Sequence, residues 1–277
     1  MALDQRSDKT SLVIRSLISG SRPGTCLVIH EKGKVSATYW MAGSNPAMTT
    51  EDAADMMRLF RRFKDLGIHG AQARHYDKVC RAHRLEEIKA EAAEVVKHLK
   101  SGDSVLELAC GPGYLAIEIS KLGRGQYKIT GLDISNEFVV IAKKNAQEAG
   151  ADIDFKQGNA ANMPFQANMF DFVVCVLAFK NFKAPLEALK EIFRVLKPCG
   201  TALILDLDRN APLKAVKNLA ENMGLNGLQA YIASSLQRSG AYTSKEFEGM
   251  ISQTDFDRCQ IRTSPVGLSI ILKKGNR

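Results

Sequence analysis

A carboxylate and two glycines lie within seven residues of one another, where a strand is predicted to turn into a helix: Glu107-Leu-Ala-Cys-Gly-Pro-Gly113. Gly111 and Gly113 let the backbone approach a ligand closely, because they carry no Cβ. The helix that follows presents free N–H groups and positive potential at the same place. The segment therefore predicts a binding site for a nucleoside or an anionic group.

A second carboxylate, Asp133, ends the next predicted strand, twenty residues after Gly113. An acid at this place can accept hydrogen bonds from both hydroxyls of a ribose. Glu107 would repel a pyrophosphate and instead suits a cationic ligand end, such as the amino group of a methionine moiety. The stretch Gly158-Asn-Ala-Ala-Asn-Met-Pro-Phe165 follows the third strand, in position to contact an adenine edge. These features together predict a nucleoside site.

Alternating strands and helices must position these residues. Strands are predicted at residues 105–108, 128–132, 153–156, 172–176 and 202–205, of which 172–176 is continuously apolar, with helices at 113–122, 137–147 and 186–196. Such alternation predicts a mostly parallel sheet with helices on both faces. Two last strands, at 258–262 and 268–273, are joined by a short loop and are antiparallel to each other. The expected fold class is therefore α/β, with seven strands and a reversed C-terminal strand.

The segments on either side of this core are predicted as follows. Residues 26–29 and 35–40 predict a β-hairpin, and residues 50–66 an amphipathic helix. A single polar helical stretch is expected at 213–237, and the capping box Thr243-x-x-Glu246 predicts a short helix to about residue 251. We divide the chain into an N-terminal extension (1–48), a helical cap or lid (49–100) and the ligand-binding domain (101–277).

The composition is that of an ordinary globular protein, with 45% hydrophobic and 25% charged residues. The net charge of +8 is spread along the chain, which favours a solvated basic surface and leaves a nucleic-acid partner open. The six cysteines and five histidines show no metal-ligand spacing, so we predict no metal site. No apolar run is long enough for a transmembrane segment. We expect a cytoplasmic protein, because Asp4 and Asp8 argue against a transit peptide.

Residues 76–273 resemble the class I S-adenosylmethionine-dependent methyltransferases, most of all the group that includes the ubiquinone and menaquinone biosynthesis methyltransferases. The segment from Glu107 to Gly113 resembles the family's first motif, Asp133 its ribose-binding acid, and Asn159-Ala160 its adenine-contacting site. Phe170-Asp171-Phe172 resembles the start of its fourth strand. The resemblance implies a Rossmann-like fold, S-adenosyl-L-methionine as cofactor and a small-molecule methyl acceptor.

The resemblance also implies a set of site residues. The cofactor-binding residues would be Tyr76, Glu107, Ala109, Gly111, Gly113, Asp133, Ile134, Asn159, Ala160 and Val176. Lys180 and Asn181 are catalytic candidates, because the family's matching segment faces the transferred methyl group. His75 is a candidate base, since it lies in the segment that caps the cofactor in related folds.

Departures from the family pattern bear on the substrate. Ala109 replaces the first glycine of the motif, and Asn159 stands where the family usually has Asp. The quinone-methylating members carry an Arg-Asn pair where this chain has Lys180-Asn181. The sequence therefore predicts the cofactor class more closely than it predicts the acceptor.

Several functions remain open on the sequence alone. Transfer of a methyl group to an O, N or C atom of a small molecule, by in-line displacement that depends on positioning, is favoured. The basic charge keeps an RNA or protein methyltransferase open. The partial match of Gly111-Pro-Gly113-Tyr-Leu-Ala116 to the dinucleotide pattern keeps an NAD-dependent oxidoreductase open. A non-catalytic cofactor-binding subunit and a homodimer are also compatible with the sequence.

Overall fold

The structure is a computed structural model. It describes strands at residues 11–14, 27–30 and 35–37 and then residues 67–222, 224–225 and 227–276. The helix predicted at residues 50–66 lies outside these described residues. The chain divides into two compact units, Met1–Ala54 and Asp55–Arg277, which are described separately.

The first unit contains a three-stranded antiparallel sheet. Its strands are β1 (Ser11–Ile14), β2 (Leu27–His30) and β3 (Val35–Ala37), in the order β1-β2-β3. The predicted hairpin corresponds to β2 and β3, which pair with Leu27 opposite Ala37. Strand β1 has no counterpart among the predicted elements.

A seven-stranded sheet forms the centre of the second unit. Its strands are β4 (Ser104–Leu108), β5 (Lys128–Asp133), β6 (Ile153–Gln157), β7 (Phe170–Val176), β8 (Leu196–Leu207), β9 (Arg258–Thr263) and β10 (Gly267–Lys273). They lie in the order β6-β5-β4-β7-β8-β10-β9. Neighbours from β6 to β8 run parallel, and β10 runs antiparallel to both β8 and β9. The predicted fold class is confirmed, including the reversed C-terminal strand.

Eight helices accompany this sheet among the described residues: α1 (Gly70–His83), α2 (Leu85–Val96), α3 (Tyr114–Leu122), α4 (Asn136–Ala149), α5 (Pro185–Val195), α6 (Leu213–Asn222), α7 (Gly227–Gly240) and α8 (Ser244–Ile251). A 3₁₀ turn spans Phe179–Asn181. In the part of the chain that the structure describes, no helix is long and apolar enough to cross a bilayer.

Two helical predictions differ from the structure. The single helix expected at residues 213–237 is instead the pair α6 and α7, and the chain between them has left-handed backbone at Gly224 (φ 81°). Helix α1 was not predicted, because only two of its side chains, Ala73 and Cys80, are buried and it shows no broad apolar stripe. The capping box that begins α8 is present as predicted.

The order of the strands indicates where a ligand would bind. The chain runs outward from β4 through β5 to β6 and then returns to β7 on the other side of β4. Ligands of open α/β sheets bind at the carboxyl ends of the strands, where this order reverses. The loops that follow β4, β5 and β7 therefore meet at one edge of the sheet.

A buried lysine directly after β10 forms hydrogen bonds to the core. Lys274 is 7% exposed, and its Nζ donates to Asn168 Oδ1 (2.8 Å), Phe193 O (2.9 Å) and Leu196 O (2.7 Å). Two of these acceptors are backbone carbonyls at the C-terminal end of α5, where a cation is favourable. The amine therefore joins three segments that are distant in sequence.

Replacing this lysine by methionine, Lys274→Met, should lower the free energy of unfolding by roughly 2–4 kcal/mol, because buried carbonyls lose their donor. Urea denaturation followed by circular dichroism measures the change. The control is Lys121→Met on α3, whose side chain is 52% exposed and pairs with Glu118. That variant should stay within about 0.5 kcal/mol of the wild type. Equal effects of the two substitutions would contradict this assignment.

Candidate active site

The turn between β4 and α3 (the glycine turn, residues 109–113) has a left-handed backbone at Ala109 (φ 53°), Gly111 (φ 52°) and Gly113 (φ 81°). A Cβ on Gly113 would lie 2.8 Å from Phe155 Cζ and 2.9 Å from Ala142 Cβ, so this position also requires glycine for packing. A Cβ on Gly111 would meet nothing within 4 Å. Gly113 thus lets α3 approach the sheet closely, whereas Gly111 borders open space.

A cavity of about 200 Å³ opens beside this turn. Its walls come from α1 and α2, the glycine turn, the end of β5 and the loop after β7. The residues that line it include Tyr76, Cys80, Arg84, Glu91, Glu107, Ala109, Gly111, Asp133, Ile134, Val176, Leu177, Ala178, Asn181 and Phe182. A smaller cavity of about 40 Å³ adjoins it, lined among others by Asn159 and Ala160. The site therefore lies at the sheet edge where the topology predicts it.

Asp133 connects the glycine turn to the end of β5. Its Oδ2 accepts a hydrogen bond from Gly111 N (2.9 Å), and its Oδ1 accepts one from Ser135 N (2.9 Å). The side chain is 6% exposed and lines both cavities. Burial raises the pKa of Asp133 although both N–H groups favour its charged form. The carboxylate is therefore held in one orientation at the cavity wall.

Glu107 is the second carboxylate at this wall, and it is 5% exposed. Its Oε2 accepts a hydrogen bond from Ala116 N in the first turn of α3 (3.0 Å). Burial, with smaller contributions from the nearby charges of Asp133 and Glu91, raises the pKa of Glu107 to about 8. A cation in the cavity would favour the ionised form of Glu107.

Arg84 is a cavity residue that the sequence did not single out. It lies between α1 and α2, is 7% exposed, and donates to Tyr76 Oη (3.5 Å), Glu87 Oε2 (3.3 Å) and Glu91 Oε1 (3.2 Å). Burial raises the pKa of Tyr76 to about 12 and that of Glu91 to about 6. The guanidinium of Arg84 therefore lines the same cavity as the buried carboxylates of Glu107 and Asp133. The spacing of Arg84, Glu87 and Glu91 along one helical face indicates that these side chains pair, but it does not indicate that Arg84 lines a cavity.

The remaining predicted cofactor residues lie at the two cavities. Tyr76, Ala109, Ile134 and Val176 line the larger one, and Asn159 and Ala160 line the smaller one. The Oδ1 atom of Asn159 accepts a hydrogen bond from Ala161 N (2.8 Å), so it is already engaged in its own loop.

The three catalytic candidates have different positions. Asn181 lines the larger cavity next to Phe182. Lys180 points away from it: its Nζ donates to Leu177 O and lies 3.2 Å from Asp206 Oδ1, with 3% of the side chain exposed. His75 is exposed on α1 and does not line the cavity. A catalytic role for any of them stays a prediction.

A family model described as a methyltransferase domain matches residues 99–257, more than half of the chain. The chain belongs to this family. The match extends from the end of α2 to the loop before β9, and it includes the glycine turn, Glu107 and Asp133.

Several curated methyltransferases are similar in sequence. The demethylmenaquinone methyltransferase of Lactococcus lactis is 40% identical over 107 residues, which cover 38% of this chain and 42% of that protein. A ubiquinone/menaquinone biosynthesis C-methyltransferase of Bdellovibrio bacteriovorus is 39% identical over 118 residues, covering 41% and 48%. The chain thus spans about half the length of the curated relatives it matches.

Solved structures share the fold at low sequence identity. The plantazolicin methyltransferase BpumL in complex with SAH superposes with a TM-score of 0.62 at 18% identity, covering 81% of this chain and 98% of that one. A SAM-dependent methyltransferase from Aquifex aeolicus gives a TM-score of 0.56 at 18% identity, covering 71% and 97%. These likenesses establish the fold.

Neutralising Glu107 should change how stability depends on pH. The pKa of Glu107 is about 8 in the folded protein and about 4.5 when exposed, so the folded state holds an extra proton between these values. Stability from this group is therefore complete below about pH 4.5 and is lost as the pH rises to 8, with a limiting slope of about 1.4 kcal/mol per pH unit. Glu107→Gln keeps an acceptor for Ala116 N and should remove this slope.

Urea unfolding of the ligand-free protein between pH 5 and pH 8.5 measures the effect. Glu107→Gln should match the wild type near pH 5 and exceed its stability at pH 8. Glu187→Gln, at an exposed position in the first turn of α5, is the control and should keep the wild-type slope. Identical slopes for the wild type and Glu107→Gln would show that Glu107 is ionised throughout this range.

Proposed function

We propose that the chain is an enzyme that transfers a methyl group from S-adenosylmethionine to a small-molecule acceptor. The observation that carries this proposal is the combination of Glu107, Asp133 and Arg84 around one cavity beside the glycine turn. S-adenosylmethionine, when bound, supplies a methyl carbon activated by the adjacent sulfonium. It also carries an amino acid end with both charges, an ammonium and a carboxylate.

The charges of the cavity suit that amino acid end. The carboxylate of Glu107 would accept hydrogen bonds from the ammonium, and the guanidinium of Arg84 would donate to the carboxylate, a geometry that arginine favours. A pyrophosphate would instead face the two carboxylates Glu107 and Asp133, which disfavours NAD. The site therefore fits a zwitterion better than a dianion.

The rest of the site suits an adenosine. Asp133 has its orientation fixed by Gly111 N and Ser135 N, and carboxylate oxygens can accept from ribose hydroxyls as well. The smaller cavity, between Leu132, Ile134, Ala160 and Phe182, offers apolar walls for a flat base. Gly111 leaves room at the turn for close approach of the ligand.

The wall after β7 would face the methyl group and the acceptor. It presents Val176, Leu177, Ala178, Asn181 and Phe182, none of which is ionisable. Such a wall can orient an acceptor and exclude water, and methyl transfer in line with the sulfur depends mainly on this positioning. Curated relatives named as quinone methyltransferases support a small aromatic acceptor. Asn181 is the polar group available to orient it.

Ligand binding tests the first half of this proposal. Isothermal titration calorimetry of the full chain should detect S-adenosylhomocysteine and S-adenosylmethionine, and NAD should give no heat of binding. Arg84→Met should weaken S-adenosylhomocysteine by roughly 10- to 100-fold, the usual effect of losing a charged hydrogen bond. The affinity for 5′-methylthioadenosine, which lacks the amino acid end, should change little.

Lys121→Met, exposed on α3, is the matched cationic control and should leave both affinities unchanged. If Arg84→Met weakened both ligands equally, Arg84 would not contact the amino acid end. If NAD bound and S-adenosylhomocysteine did not, the oxidoreductase alternative would replace the present proposal.

A transfer assay tests the second half. The protein is incubated with S-adenosylmethionine labelled in its methyl group and with separate metabolite, RNA and protein fractions of a cell extract, and a short-chain naphthoquinol serves as a defined probe. Label should appear in the metabolite fraction. Label in the RNA or protein fraction would favour a macromolecular acceptor. Binding without transfer to any fraction would favour a cofactor-binding subunit without catalytic activity.

A further inference from the structure

Asn145 is a buried amide that connects three parts of the molecule. It lies on α4 and is 4% exposed. Its Nδ2 donates to Pro112 O (2.9 Å) and to Asp77 Oδ1 (3.0 Å), and its Oδ1 accepts from Arg81 Nη2 (2.6 Å). Both donor hydrogens and the carbonyl oxygen are therefore engaged.

One of these contacts supports the glycine turn. Pro112 lies between Gly111 and Gly113, just before helix α3, whose first backbone acceptor is Gly113 O with Ile117 N as its donor. The Pro112 carbonyl therefore lies outside the helical hydrogen-bond ladder, and Asn145 Nδ2 donates to it. Because buried carbonyls need a donor, this hydrogen bond holds the glycine turn against α4.

The other contacts hold helix α1. Asp77 and Arg81 are four residues apart and lie on the face of α1 that meets α4. Asp77 Oδ1 also accepts from Tyr114 Oη at 2.7 Å. The adjoining face of α1 carries Tyr76 to the cavity, and its end carries Arg84 there. Because only two side chains of α1 are buried, these polar contacts supply much of what holds it in place.

We propose that Asn145 is a positioning residue that joins helix α1 and the glycine turn into one cofactor-binding unit. Asn145 does not line the cavity itself, so it acts through Pro112 and α1. Only an amide suits the position: aspartate would bring a second carboxylate against Asp77, and leucine would leave Pro112 O and Asp77 without this donor. The inference rests on the proposed function, because the ligand is the one proposed there.

The test compares the full-length wild type, Asn145→Leu and Lys274→Met by calorimetric titration with S-adenosylhomocysteine at a temperature where all three are folded. Lys274 is the matched control, a buried polar side chain that bridges distant segments whose contacts lie outside the cavity. Both substitutions should lower the thermal unfolding midpoint. Only Asn145→Leu should raise the dissociation constant, by roughly tenfold.

Hydrogen exchange supplies a second readout. Amides of α1 should exchange faster in ligand-free Asn145→Leu than in the wild type or Lys274→Met, and the ligand should protect them less in that variant. Should Asn145→Leu fail to accumulate as folded protein, Asn145→Ser leaves a smaller defect and serves for the same comparison.

The outcomes separate this inference from the proposed function. If the wild type binds the ligand and Asn145→Leu binds within about twofold of it while its unfolding midpoint falls, Asn145 is merely structural and the inference is overturned. If the wild type itself does not bind S-adenosylhomocysteine, the proposed function fails and the inference falls with it. A raised dissociation constant in Asn145→Leu alone supports the coupling.

Discussion

The close packing of α3 on the sheet at Gly113 is the constraint to which the rest of the cavity conforms. A single methyl group on Gly113 would overlap Phe155 and Ala142, so the helix can begin where it does only with glycine there. This start brings the free N–H groups of the first turn beside the ends of β4 and β5. Glu107 and Asp133 bind two of the nearby N–H groups, at Ala116 and Gly111, and so acquire fixed orientations.

The burial of these two carboxylates also lowers the stability of the folded protein. Glu107 and Asp133 are withdrawn from water close to one another, and burial raises the pKa of each. Arg84 does not relieve them, because its hydrogen bonds go to Glu87, Glu91 and Tyr76. Binding of a cation in the cavity would favour the ionised carboxylates and so stabilise the folded protein. Binding sites commonly keep such unfavourable electrostatics, because the ligand relieves them.

Much of the core and part of the site could be predicted from the sequence, for identifiable reasons. Strand β7 contains the continuous apolar run Phe172–Val176, and a carboxylate at the end of a buried strand, such as Asp133, has few structural explanations. Helix α1 could not be predicted, because polar contacts rather than an apolar stripe hold it. The role of Arg84 in the cavity depends on how α1 and α2 dock, which residue spacing alone does not determine. The prediction of one helix at residues 213–237 is wrong at the break between α6 and α7, although Gly224 and Gly227 mark this break in the sequence.

Lys180 shows that a sequence motif does not determine the direction in which a side chain points. Its place in the segment after β7 was predicted to face the transferred methyl group, yet the direction of one side chain depends on what lies beneath it. Here Asp206, buried at the end of β8, accepts from both the backbone N–H and the Nζ of Lys180. The pair also bridges to Leu177 O, at a residue with a left-handed backbone (φ 53°). A free ammonium on the cavity side would repel a bound sulfonium, since like charges at short range interact strongly away from water. Pairing Lys180 with Asp206 beneath the loop leaves a neutral wall at Asn181 and Phe182, which suits a cofactor whose reacting end is positively charged.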